Sequence, residues 1–305
     1  MIGTFTGIAK RARKDEGKKR LAVPSPNKQE IELLCKAATK MPVIPLLVGD
    51  GKAIRATLKK SPLASMEHEI INARGAGEAL RAAIRLARED RADILMQGGE
   101  DQKTFIQAAL NVKTGLLKDK VASYPSVVQL QKRNKLIIVT DTLVNNSPGI
   151  VEKQLILEHA LGLADILGIK EPKVAVLAAI EQVNPSIPST VDAAVLAKMA
   201  DRKQFGKAIV EGPLDMDCAV SCVAAKRKGI MSVVTGNADI FLVPCIETGY
   251  SLIEALVFWG KMKTAGILMG TTKPVALNPP FISDENRLVE IAIATLISAR
   301  GMKHG

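Results

Sequence analysis

Aromatic residues are scarce: one tryptophan, two tyrosines and six phenylalanines make up 3% of 305 residues. The core must therefore be aliphatic, which suits helices stacked on parallel strands. It suits a nucleic-acid reader badly, because base stacking uses aromatic platforms. Histidine is also sparse. His68 and His159 fall on helical patterns and His304 lies in the tail, so histidine catalysis is not expected. The four cysteines, Cys35, Cys218, Cys222 and Cys245, form no Cys-x-x-Cys pair. Cys218 and Cys222 are spaced to share a helix face, but no histidine or third cysteine stands near them to complete a zinc site. Reduced, buried thiols and no metal are the expectation. No apolar run approaches the ~18 residues of a membrane span. The N-terminal "MIGTFTGIAKRARKDEG" lacks a signal-peptide apolar stretch. A cytoplasmic protein that meets neither membrane nor nucleic acid follows as the expectation.

What is present is positive charge and aliphatic bulk. The net charge is +11, the sequence pI about 9.5, and 47% of residues are hydrophobic. Anionic ligands are the natural inference. The densest basic stretch, "KRARKDEGKKR" (Lys10 to Arg20), has acids inside it and reads as a solvated N-terminal helix.

Short β-branched runs alternate with longer helical patterns. "RLAVPSP" is a strand and its exit, followed by the helix "NKQEIELLCKAATKM". Asn27 and Glu30 form a capping-box pattern there. "VIPLLVGDG" is a strand closed by an Asp-Gly turn. "GEALRAAIRLARED" is an amphipathic helix, and "ADILMQGG" and "KLIIVTD" are strands. "GIVEKQLILEHALGLADILG" is a long helix stopped near Gly168. The second half repeats the rhythm. "KVAVLAAI" is a strand, "TVDAAVLAKMAD" a helix with Thr190 as candidate cap, "KAIVEG" a strand and "DCAVSCVAAKRKG" a helix. "ADIFLVP", the helix "SLIEALVFWGKMK", and the strands "AGILMG" and "PVAL" follow. This alternation implies right-handed crossovers and a mostly parallel sheet.

In such sheets ligands sit beyond the carboxyl ends of the strands. The loops there are polar: "GGEDQKT", "TDTLVNNSPG", "IEQVNPSIPST", "EGPLDMD", "TGNAD", "PCIETGY" and "LNPPFISD". Several open helices, whose first amides can hold an anion. Taken singly, Asp141, Glu181 and Asp217 are also explained by capping and loop hydrogen bonds.

Several of these stretches resemble one family. "EGPLDMDCAVS" (Glu211 to Ser221) is similar to the "DGPLALDNAVS" of the phosphate butyryltransferase and phosphate acetyltransferase family, closest to the butyryltransferases. "TGNADIFLVPCIETGY" resembles its "AGKADILLVPDIEAGN", and "TDTLVNNSP" its "TDAAMNIAP". "PKVAVLAAIEQVNPSIPSTVDAAVLAKMADR" looks like another family signature. The likeness runs from about Lys19 to the last helix. It implies two three-layer α/β/α domains with mostly parallel sheets, an interdomain cleft and a fold like isocitrate and isopropylmalate dehydrogenases. The expected domains are 1–147 with 270–305, and 148–269. The resemblance further implies transfer of a short acyl group, such as butyryl or acetyl, between coenzyme A and phosphate. Coenzyme A or acyl-CoA is then a substrate, with acyl phosphate or inorganic phosphate, and no cofactor is held permanently. A homodimer is expected. By this resemblance Asp141, Asp217 and Ser283 are the catalytic candidates. Gln97, Gly98, Thr104, Thr140, Asn145, Glu181, Asn184, Thr190, Gly236, Pro279 and Pro280 are the substrate-binding candidates.

The sequence departs from the family where cations are expected. Against "LTSRADSDESKL", the stretch "LNPPFISDENRL" places Pro279 on the serine and Pro280 on the arginine. Gln97 stands for a lysine, Gln102 for a threonine, Leu117 for an arginine and Tyr124 for a histidine. Lys103, Lys113, Lys118, Lys120 or Arg287 are the candidate replacements. An alternative reading is therefore a repurposed relative that binds CoA or acyl-CoA with altered or lost activity. Pro279, Pro280, Leu117 and Phe281 make its site more apolar. A third reading, a nicotinamide-dependent dehydrogenase, rests on "GAGEAL" (Gly75 to Leu80), which lacks a third glycine and a convincing preceding strand.

Overall fold

The structure, a computed structural model, describes residues 1–300 apart from 16, 132 and 133. His304 lies outside the described residues. In chain order the first elements are α1 (Phe5–Arg13), β1 (Lys19–Pro24), α2 (Lys28–Lys40), β2 (Val43–Gly49), α3 (Gly51–Leu58), β3 (Glu69–Asn72), α4 (Ala76–Arg88), β4 (Ile94–Met96) and α5 (Gln102–Ala109). Next come β5 (Ser126–Gln129), β6 (Leu136–Thr140), α6 (Ile150–Ile166), β7 (Lys173–Leu177), α7 (Pro188–Asp201), β8 (Ile209–Leu214), α8 (Met216–Val220) and α9 (Cys222–Arg227). The chain closes with β9 (Ile240–Leu242), α10 (Ile246–Glu254), β10 (Lys263–Gly266), β11 (Val275–Ala276) and α11 (Asp284–Arg300).

The chain divides into two compact α/β units, one of Phe5–Ala122 with the segment from Ala265, the other of Met1–Thr4 with Ser123–Thr264. The first holds a five-stranded sheet in the order β11-β4-β1-β2-β3, its neighbours parallel throughout. The six-stranded sheet runs β10-β5-β6-β9-β7-β8. There β6, β9, β7 and β8 are parallel, while β5 pairs antiparallel with β6. Parallel strands carry helices on both faces and must be apolar on both. Leu21, Ala22 and Val23 in β1 and Ile240 in β9 are accordingly fully buried. The aliphatic, mostly parallel α/β architecture expected from the sequence is the one observed.

Local chemistry explains most boundaries. Asn27 caps α2, its side chain accepting from Gln29 N at 2.7 Å and Glu30 N at 3.3 Å. Glu30 returns the bond from Asn27 N at 3.1 Å, completing the capping box. Gly168 follows α6 with φ +82° and ends it, as glycine in the left-handed region does.

Four local readings are corrected. Asp50-Gly51 is not a turn between strands: Asp50 caps α3, accepting from Lys52 N at 2.9 Å. Thr190 is not the cap of α7, which starts at Pro188 after Ile187. The helix expected over Cys218 and Cys222 is two short helices, broken where Ser221 is extended and caps the second through Ala224 N at 3.2 Å. His68 lies in the loop before β3, not on a helix. That strand also precedes "GAGEAL", where Gly75 at φ +78° opens α4.

Removing the Asn27 cap tests the local argument. Asn27→Ala is expected to lower the unfolding free energy by about 1 kcal/mol in urea titration.

Candidate active site

Parallel pairing puts the loops that follow β6, β9, β7 and β8 at one edge of their sheet. The loop after β6 carries Thr140, Asp141 and Asn145. Asp141 is 3% exposed, and its carboxylate is crowded with donors. Oδ1 accepts from Tyr124 N at 3.0 Å, Leu143 N at 3.0 Å and Val144 N at 3.4 Å. Oδ2 accepts from Asn145 N at 2.9 Å and from the Asn145 side-chain amide. A general base needs a lone pair facing its substrate. Asp141 spends its lone pairs on the loop backbone, so it organises the loop. Thr140 is fully buried in β6.

The loop after β7 carries Glu181 and Asn184. Thr190 Oγ1 accepts from Asn184 N at 2.9 Å and reaches Ile187 O at 2.8 Å, tying this loop to the first turn of α7. The next strand, β8, runs into Asp215, which caps α8 through Cys218 N at 3.2 Å, and then into Asp217. Because β7 and β8 are neighbours, the two loops meet. Glu181, Asp215, Asp217 and Cys218 have ligand atoms within 4.8 Å of one another. The cation they meet is Lys228, just past α9, whose ammonium pairs with Glu181, Asp215 and Asp217, the last at 3.0 Å.

The electrostatics follow from this contact. Hydrogen bonding from Lys228 holds the Glu181 carboxyl below its ordinary range. Burial alone would raise Asp215, but bonds from Cys218 and Lys228 outweigh it and the carboxyl lies low. The partners Asp215, Glu181 and Asp217 push the Lys228 ammonium well above its usual value. Burial first, and then Asp215 and Asp217, push the Cys218 thiol up to about 12. Cys218 therefore remains a thiol at neutral pH. Among the three carboxylates that meet Lys228, Asp217 presents the most surface, its side chain being 54% exposed.

Gly236 has φ +72°, and a Cβ there would lie 2.7 Å from Cys222 N. It lines an apolar cavity of about 260 Å³ with Met216, Phe241 and Leu256. Its glycine is explained by backbone conformation and close approach.

In the first unit the loops after β4 and β11 are tied to each other. Gln97 is buried; its Nε2 donates to Glu100 O at 3.0 Å and its Oε1 accepts from Asn278 N at 3.0 Å. Gly98 admits no side chain, since a Cβ would fall 1.7 Å from Pro24 O. Asp101 caps α5 by accepting from Thr104 N at 2.9 Å. Pro279 is buried and its carbonyl accepts from Ile282 N at 3.0 Å, while Pro280 is exposed. Ser283 is exposed before α11, its carbonyl accepting from Asn286 N and Arg287 N. Arg287 is not a free cation: it is 4% exposed and faces Glu30 at 3.5 Å. Lys103, Lys113, Lys118 and Lys120 are exposed. Phe281 is buried in the fold.

Three residues escaped the sequence reading. Lys228 sits in a basic run that reads as a solvated helix end. Asp215 is an ordinary cap by its position. Glu100 is half-buried beside Ser25, and burial raises its carboxyl above the usual range. No local pattern marks any of the three.

Helix-opening loops gathered at strand ends, with acids among them, define the ligand-binding edge of an α/β fold. The chain belongs to the phosphate acetyl/butaryl transferase family, whose model matches residues 49–295. It is 35% identical over 298 residues to a phosphate butyryltransferase of Clostridium acetobutylicum, covering 98% of this chain and 99% of that protein. It is 34% identical to a phosphate acetyltransferase of Thermotoga maritima, covering 92% and 95% of the two chains. Among solved structures it resembles a branched-chain phosphotransacylase of Enterococcus faecalis V583, with a TM-score of 0.79 and 25% identity over 93% and 99% of the chains.

The cysteines offer a direct check. Cys222 is exposed and Cys218 is buried with a raised thiol. Iodoacetamide at pH 8 is expected to modify Cys222 in the native protein and leave Cys218 unmodified until denaturant is added, as read by peptide mass spectrometry.

Proposed function

We propose that the chain is a phosphate acyltransferase passing a short acyl group, butyryl or acetyl, between coenzyme A and inorganic phosphate. The observation that carries this reading is the full-length likeness to a phosphate butyryltransferase. Coenzyme A and acyl phosphate are substrates, and no resident cofactor is invoked. Asp217 takes the thiol proton of coenzyme A. The C–S bond forms as the thiolate attacks the acyl carbon, and the carbonyl electron pair moves onto oxygen. Collapse of that tetrahedral oxyanion breaks the C–O bond to phosphate, which leaves as inorganic phosphate. The proton on Asp217 returns to phosphate or solvent.

The substrate anions need partners other than the cations missing at Pro280, Gln97 and Leu117. Helix starts supply them in this reading. α6, α10 and α7 follow the adjacent strands β6, β9 and β7, and each starts without a side-chain cap. In α10 Ile246 N already donates to Asn146 O at 3.0 Å, and α7 opens on Pro188, which has no N–H, so the first-turn amides of α6 are the ready anion donors. The Asn145 and Asn184 loops shape those helix starts. Thr104 and Ser283, in the first unit, have exposed side chains.

The protein is proposed to work in the cytoplasm, in keeping with four free cysteines. It is proposed to act as a homodimer. Phe258 and Trp259 stand 54% and 89% exposed on a π-helical turn, Ala255–Trp259. Adjacent exposed aromatics of this kind mark a surface that another molecule covers.

Three measurements decide these points. Thioester absorbance should rise when coenzyme A meets acetyl, propionyl or butyryl phosphate, and silence with all three would end the acyltransferase reading. Asp217→Asn should lower kcat by about a hundredfold or more with little change in stability. Asp141→Asn should instead cost about 2 kcal/mol of stability or more. For the dimer, light scattering after size exclusion should show Trp259→Asp moving toward monomer mass. An unchanged mass would remove that face from the interface.

A further inference from the structure

Lys228 has no part in the acyl transfer described above, yet its placement is specific. It follows the last turn of α9 and reaches two loops at once. Glu181 belongs to the loop after β7, and Asp215 and Asp217 to the segment after β8. An ammonium has three donors and no acceptor, and here it faces three carboxylates. Without it those carboxylates would repel one another across 4.8 Å or less. Its bond to Asp217 engages Oδ1 at 3.0 Å and leaves Oδ2 outside that contact.

We infer that Lys228 is a positioning residue for acyl transfer: it pins the Glu181 loop against the start of α8 and fixes the direction in which Asp217 presents its carboxylate. The inference rests on the role proposed above for Asp217. Lys228 does not touch the reacting atoms; it acts through the carboxylates it ties together. The groups facing it are Glu181 from the β7–α7 loop, Asp215 at the cap of α8 and Asp217 within α8, with the Cys218 thiol beside those carboxylates.

The pH window of the pin follows from the directions of the shifts. Glu181 and Asp215 are depressed, so their share is present above the ordinary carboxylate range and lost as pH falls through the lowered values. Lys228 is raised, so its share is present below the ordinary lysine value and lost only as pH rises past the elevated one. The pin therefore holds across the whole neutral range. Removing the ammonium leaves the carboxylates facing one another, and their mutual repulsion favours protonation.

The test compares Lys228→Ala and Lys228→Arg by thioester absorbance across pH. Lys228→Ala is expected to lose about tenfold or more in kcat with a smaller change in the KM for coenzyme A. Its acid limb should rise by about one pH unit, the lower end of the shift a neighbouring charge produces. Lys228→Arg should recover part of the loss. Added ethylammonium should partly rescue Lys228→Ala, whereas tetramethylammonium, with equal charge and no N–H, should not. A folded Lys228→Ala with wild-type kcat and an unmoved acid limb would overturn the inference. So would equal rescue by the two cations. If Lys228→Ala does not fold, Glu181→Gln takes its place. It unties one loop while Lys228 stays on Asp215 and Asp217, and it should lower kcat about fivefold or more; wild-type kcat would overturn the inference. Absence of turnover in the wild type would sink the acyltransferase reading alone. The pin would then be judged by whether ethylammonium raises the melting temperature of Lys228→Ala above that in tetramethylammonium.

Discussion

Strands β6, β9, β7 and β8 run parallel, and parallel strands cannot be joined by tight turns. Each must be followed by a crossover, so the loops that carry acids in this unit open helices at one edge. At β6, β9 and β7 the helices that follow start without side-chain caps, with Glu152 and Glu247 in the first turns of α6 and α10 and Pro188 opening α7. At β8 the helix start is capped by Asp215, with Asp217 one residue into α8 and Glu181 across from the β7 loop.

The chain's net charge of +11 does not supply the anion grip by itself. Lys103, Lys113, Lys118 and Lys120 lie on the exposed surface, and Arg287 is committed to Glu30 inside the first unit. The surface charge then serves encounter with anions over distance rather than their final grip.

What could be read from the sequence was what short spacing decides. The Asn27–Glu30 capping box, the stop at Gly168 and the strand–helix alternation depend on residues within one turn or one strand of each other. The readings that failed are those where one local signal has two physical outcomes. Asp-Gly closes a hairpin or caps a helix, and at Asp50 the residues after it are helical enough to choose the cap. Ser221 lies inside an apolar-periodic stretch, but its side chain bonds Ala224 N and ends one helix to begin another. β3 (EIIN) and β5 (SVVQ) are four residues long, too short for alternation to show, so register with a neighbour makes them strands. Lys228 is the extreme case. Its meaning comes from β7 and β8 lying side by side, and no spacing between Glu181, Asp215 and Lys228 in the chain announces that.

Asp141 and Asp217 show the same limit at a single atom type. Both are aspartates just beyond parallel strands, and resemblance places both in the catalytic set. Their difference is in what fills their lone pairs. Asp141 lies at the mouth of β6, where Leu143, Val144 and Asn145 fold back and aim three amides at it, with Tyr124 adding a fourth. A carboxylate in that position lowers the energy of the loop by binding donors that would otherwise be buried unpaired. Asp217 lies one residue inside a five-residue helix, where the first-turn amide of Cys218 is already taken by Asp215. With the cap supplied by its neighbour, Asp217 has no backbone to satisfy and keeps an exposed carboxylate. The doubling of acids in "PLDMD" is thus a division of labour, in which Asp215 caps α8 and Asp217 keeps an exposed side chain that meets Lys228.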